Sequence, residues 1–122
     1  MERIFFFLGA LLAGIGVAAG AFGAHGLKNR LSAEMLATFE VGVRYQMYHA
    51  FALFVVAWVL TKWPSTPVTV AGWCFVIGTF LFSGSLYVLT LSGVKWLGAI
   101  TPLGGVAFLI GWACLAWAVW NT

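Results

Sequence analysis

Charged residues are sparse along the chain and fall at Glu2, Arg3, Lys28, Arg30, Glu34, Glu40, Arg44, Lys62 and Lys95. Between them lie charge-free runs at 4–27, 45–61, 63–94 and 96–122. A helix that crosses the hydrocarbon of a bilayer needs roughly 20 apolar residues, so each run has room for one span. Without water, only helices and closed barrels satisfy their backbone groups. Period-2 alternation is absent, so the pattern predicts helices. The expected spans are about 4–22, 44–61, 67–91 and 102–120.

Local signals sharpen these limits. Ser32 suits an N-cap and Glu34 the first turn of a helix. No proline follows until the Lys62-Trp63-Pro64-Ser65 loop. The stretch 33–44 mixes polar and apolar residues, which predicts an interfacial helical segment before the second span. Thr66-Pro67 reads as N-cap plus first helical residue, and Ser92-Gly93-Val94-Lys95 as a tight hairpin. The fourth helix has two readings. It starts at Thr101-Pro102, or it starts at Trp96 and Pro102 kinks it by freeing the Gly98 carbonyl; the first is favoured. Arg3, the following apolar run and Ala19-Gly20-Ala21 also fit a secretory signal, but the chain retains this segment and it counts as the first span.

The fold class expected is therefore all-α, an integral membrane four-helix bundle in a single domain over 1–122. Composition agrees: 63% of residues are hydrophobic and 7% charged, against about 25% charged in a soluble domain. A soluble enzyme and a disordered chain are both poor fits. A net charge of +3 is too thin for a nucleic-acid footprint, which needs clustered Lys and Arg.

Four spans put the two termini and the 62–66 loop on one side, A, and the 23–43 segment and the 92–95 hairpin on the other, B. Side B carries Lys28, Arg30, Arg44 and Lys95; side A carries Arg3 and Lys62. The excess of Lys and Arg places side B in the cytoplasm. Trp58, Trp63, Trp73, Trp112, Trp117 and Trp120 fall in the A half, and the three tyrosines in the B half. Two interfacial belts account for this, with a docking face at the tryptophans as the rival. Gly16-xxx-Gly20 in the first span, and Gly104, Gly105 and Gly111 in the fourth, provide smooth surfaces for close helix contact, within the chain or between copies. Cys74 and Cys114 are expected to be buried free thiols.

Polar residues within the spans converge on the B half: His25, Glu40, Arg44, Tyr45, Gln46, His49, Ser85, Tyr87 and Thr101, with Ser83 beside them. Glu40 and Arg44 stand in the favourable i,i+4 order and suggest a clasp where the second helix meets the membrane. His49 lies about 7.5 Å deeper along the axis than Arg44. It reads as a neutral histidine bonded to Tyr45 or a facing hydroxyl, with a proton relay as the alternative. His25, His49 and Glu40 could hold a metal, but HExxH spacing is absent and Arg44 competes for the carboxylate; no metal or cofactor is expected. Ser83 and Ser85 lack a nucleophile elbow, so no enzymatic activity is expected.

The runs Gly23-Ala24-His25-Gly26-Leu27, Phe39-Glu40, Arg44-Tyr45-Gln46-Met47-Tyr48-His49-Ala50, Gly84-Ser85-Leu86-Tyr87 and Gly98-Ala99-Ile100-Thr101-Pro102-Leu103-Gly104-Gly105 resemble the domain-of-unknown-function 423 family, which is similar to transmembrane protein 256 of eukaryotes. The resemblance covers nearly the whole chain. It implies a multi-pass membrane protein, in bacteria of the cytoplasmic membrane, and it implies no reaction or substrate. The role expected is structural or accessory, with membrane lipids, a larger membrane complex or a second copy as partners and no nucleic acid. The alternative is a small proton- or ion-coupled transporter or channel using His25, Glu40, Arg44 and His49.

Overall fold

The computed structural model describes all residues from Met1 to Thr122. Four helices follow in order: α1 (Glu2–His25), α2 (Ala33–Lys62), α3 (Thr66–Ser92) and α4 (Thr101–Trp120), with a short 3-10 helix (Lys95–Ala99) leading into α4. Each of the four is long and apolar enough to cross a membrane. At 1.5 Å per residue, α2 reaches about 45 Å, half as long again as the roughly 30 Å hydrocarbon. Its first turns are continuous with the spanning part and give the helix more length than one crossing needs.

Helix ends follow from local chemistry. The Ser32 hydroxyl accepts the Met35 N–H at 3.1 Å and caps α2. Gly93 closes α3 with φ of 75°, a left-handed conformation that glycine adopts without a Cβ clash. The expected cap at Thr66 moves by one residue: Ser65 is the N-cap, Thr66 opens the helix and Pro67 sits in the first turn. Thr101 likewise is the first residue of α4 rather than its cap, which is Ile100. Pro102 stands in that first turn, where its missing N–H costs nothing, and α4 is not kinked back to Trp96.

In lipid, apolar surface gains nothing by leaving its surroundings, so helices are held by close packing and interhelical hydrogen bonds. The central pair is α2 and α3, each half buried along its most apolar window, whereas α1 is 22% buried there and the Lys95–Trp120 stretch that contains α4 28%. α1 lies along α2 and α4 along α3. Glycines set the approach: a Cβ at Gly9 would stand 2.9 Å from the Ala50 carbonyl oxygen, and one at Gly104 would collide with the backbone of Phe82. The expected Gly16-xxx-Gly20 surface is spent inside the chain, Gly16 facing Met47 and Gly20 facing Val43. Phe5 is fully buried and reaches across to α3, where Gly72 leaves room for its ring. Phe5, Leu53, Val56, Val68 and Phe75 form the tightest part of the core.

Cys74 on α3 and Cys114 on α4 are half-buried and unbridged. Mass spectrometry of non-reduced protein should recover both as free thiols; a linked peptide pair would contradict this.

Candidate functional site

The B half of the bundle is crossed by three polar ties. The first is built on Gln46, which is 2% exposed. Its Nε2 donates to the Leu12 carbonyl of α1 at 2.8 Å, and its Oε1 accepts the Tyr87 hydroxyl of α3 at 2.6 Å. One amide thereby joins three helices. Beside it the Ser83 hydroxyl donates to the Gly42 carbonyl at 2.6 Å, made reachable because Gly42 carries no side chain. Tyr87 also packs its ring on Phe39, 5.0 Å between centroids.

The second tie is built on His49, which is 4% exposed. Its Nδ1 lies 2.8 Å from the Tyr45 carbonyl, and the Trp112 indole donates to its Nε2 at 3.1 Å. A carbonyl only accepts, so Nδ1 carries the proton; an indole only donates, so Nε2 is bare. Both ring nitrogens are therefore used by the neutral tautomer. The ring lies flat on Phe108, 3.5 Å between centroids and 5° between planes. These contacts carry the meeting of α2 with α4. The third tie joins Ser85 of α3 to Thr101 of α4, 2.5 Å between hydroxyl oxygens.

Of the residues singled out in the sequence, Gln46, His49, Ser85, Tyr87 and Thr101 thus enter interhelical bonds. Tyr45 contributes its carbonyl to His49 and its ring to Phe82, at 4.7 Å. His25, Glu40 and Arg44 do not join them: all three are exposed and none has a hydrogen-bonded or ionic partner. Nor does any group of three His, Cys, Asp or Glu side chains gather in a metal-ligating arrangement.

The expected Glu40–Arg44 clasp is not formed. The ion pair present is that of the Met1 ammonium with Glu2, at 3.5 Å. An exposed i,i+4 pair gains only about 0.3–0.5 kcal/mol while ordering two long side chains, which does not hold these two together. Glu40→Gln and Arg44→Gln should therefore couple by less than about 0.3 kcal/mol in a double-mutant cycle read by stability in detergent. A larger coupling would restore the clasp.

The role of Trp112 and Phe108 in this tie has no signal in the sequence around them. Trp112 reads from sequence as one more belt tryptophan, and its partner lies 63 positions earlier in the chain. No local spacing announces such a pair.

Comparison with known proteins matches the family model described as "Protein of unknown function (DUF423)" over residues 19–105. That stretch holds Gln46, His49, Ser83, Ser85, Tyr87 and Thr101 but ends short of Trp112. The chain is 50% identical over 111 residues to the UPF0382 membrane protein YwdK of Bacillus subtilis, covering 90% of each chain. It is 46% identical over 113 residues to the UPF0382 membrane protein SSP2132 of Staphylococcus saprophyticus, covering 93% of each. It is 48% identical to the UPF0382 membrane protein SAB0533 of Staphylococcus aureus, covering 93% of this chain and 92% of the other. No solved structure matches. Four spanning helices, the family match and close relatives along almost the full length agree: the chain belongs to the DUF423 family of bacterial membrane proteins.

Proposed function

We propose that this protein is a non-catalytic accessory component of the membrane, packing as a rigid bundle with lipid and a larger membrane complex. The observation that carries this reading is the use made of the polar residues. His49 has both ring nitrogens engaged, and the bonds that Gln46, Ser83, Tyr87 and Trp112 make hold helices together. A proton relay needs titratable groups that can exchange partners in sequence across the membrane. His25, Glu40 and Arg44 stand exposed and unpaired, apart from the His49 tie.

Crosslinking in native membranes followed by purification tests the reading: a defined larger assembly should come with the protein. Purified protein in liposomes should give the same proton and ion flux as protein-free liposomes between pH 5 and 8, the range in which histidine ordinarily titrates. Flux abolished by His49→Gln would replace the accessory role with transport.

Orientation belongs to the same proposal. The four cations of side B against two on side A favour termini outside the cytoplasm. A reporter fused after Thr122 should give an extracytoplasmic signal, and a cytoplasmic signal from folded fusions would reverse it.

A further inference from the structure

Between α1 and α3 the bundle opens sideways into a groove with a volume of about 250 Å³. Leu8, Leu11 and Ile15 form one wall; Val76 and Phe80 form the other. Gln46 of α2 closes the back, and Tyr87 stands at the B end. Val76 and Tyr87 are eleven positions apart on one helix, so the groove runs for about 16 Å along the axis. Its mouth lies within the apolar spans, where only molecules of the bilayer can enter.

Two features of the groove have no explanation in the packing of the protein itself. Gly84 lines it, and a Cβ built there would meet nothing within 4 Å. A glycine inside a helix weakens it relative to alanine, and close helix approach, which accounts for Gly9 and Gly104, does not account for this one. The other feature is the Gln46 amide. It carries two N–H groups, of which one is bonded, to the Leu12 carbonyl. The second has no protein acceptor although the residue is 2% exposed.

We infer that the groove is a binding site for one acyl chain of a membrane glycerolipid, with the chain's ester carbonyl accepting the second N–H of Gln46. The groove runs parallel to the helices, which is the direction lipid chains take in a bilayer. A partner helix, about 10–12 Å across, is too wide for a cavity of this volume, whereas a single chain fits it. The polar end matches as well. Gln46 and Tyr87 stand toward the B end of the groove, so a lipid whose headgroup lies on the B side presents its ester to that end. Gly84 then leaves the space that the chain fills. This site holds whether or not the protein is an accessory component, because it rests on the groove alone.

Native mass spectrometry of the detergent-purified chain, delipidated and then given diacyl phosphatidylglycerol or its dialkyl ether analogue, tests the inference. The wild type should retain one diacyl lipid per chain. The ether analogue, which lacks the carbonyl, should bind about fivefold more weakly, the worth of one ordinary hydrogen bond. Gly84→Leu, which fills the groove, should abolish retention, while Gly14→Leu on an exposed face outside the groove should leave it unchanged. No retained lipid in the wild type overturns the site. So do equal binding of the two lipids and retention unaffected by Gly84→Leu.

Discussion

Gly104→Ala is expected to destabilise the bundle by about 2–3 kcal/mol, although alanine is the better helix former. The added methyl would meet the backbone nitrogen and Cα of Phe82 on α3. Backbone cannot rotate out of the way as a side chain can, so the two helices must separate along their contact. Overpacking of this kind costs about 1–3 kcal/mol and occasionally more, and separation also pulls apart the Ser85–Thr101 hydroxyl pair. The helix-propensity gain of about 1 kcal/mol offsets part of that. Gly14→Ala is the matched control: a Cβ there has open space around it, so only the propensity gain remains and stability should be unchanged or slightly raised. Unfolding of both variants in mixed micelles separates the cases. Equal stability for the two would mean that α3 and α4 do not meet at Gly104.

How legible this architecture is in the sequence depends on the range of each interaction. The spans are visible because charge is costly inside hydrocarbon, so the charge-free runs set off by Arg3, Lys28, Arg44, Lys62 and Lys95 coincide with helices long and apolar enough to cross a membrane. The cap at Ser32 is visible because its bond reaches only three residues ahead. The start of α3 is misplaced by one because Ser65 and Thr66 are both competent caps, and a proline is tolerated at either of the first two helical positions. Gln46, His49 and Tyr87 stand out as polar residues in apolar surroundings, yet their partners do not, since Tyr87 meets Gln46 across 41 positions and Trp112 meets His49 across 63. Trp112 is hidden further because nothing in its local sequence separates it from Trp117 and Trp120 of the same helix; only its bond to His49 tells them apart. The Glu40–Arg44 spacing misleads in the opposite direction. Spacing permits that pair, but on an exposed helix face permission brings little energy.

His49→Ala is expected to cost about 3 kcal/mol. The change removes a ring stacked flat on Phe108 and leaves the Trp112 indole N–H without its acceptor. Truncating a large buried side chain costs about 2–5 kcal/mol through lost contacts and the cavity left behind. The Trp112 indole N–H left without its acceptor adds about 1 kcal/mol. His49→Gln keeps an acceptor for the indole but not the flat ring, so it should recover roughly half of the loss. Trp112→Phe keeps an aromatic ring but deletes the donor. Combined with His49→Ala, it should cost less than the sum of the two changes, because the bond can be lost only once. Interhelical hydrogen bonds in membranes average about 0.6 kcal/mol and reach about 1.7, and the coupling should fall in that range, at the upper end because no lipid group replaces the buried acceptor. Thermal unfolding of the four proteins in one detergent measures it. A relay histidine predicts a different pattern: near-wild-type stability for His49→Ala, no coupling to Trp112 and a flux lost with the imidazole. Stability unchanged by His49→Ala would therefore remove the tie between α2 and α4 from the account of this fold and return the residue to the transport hypothesis.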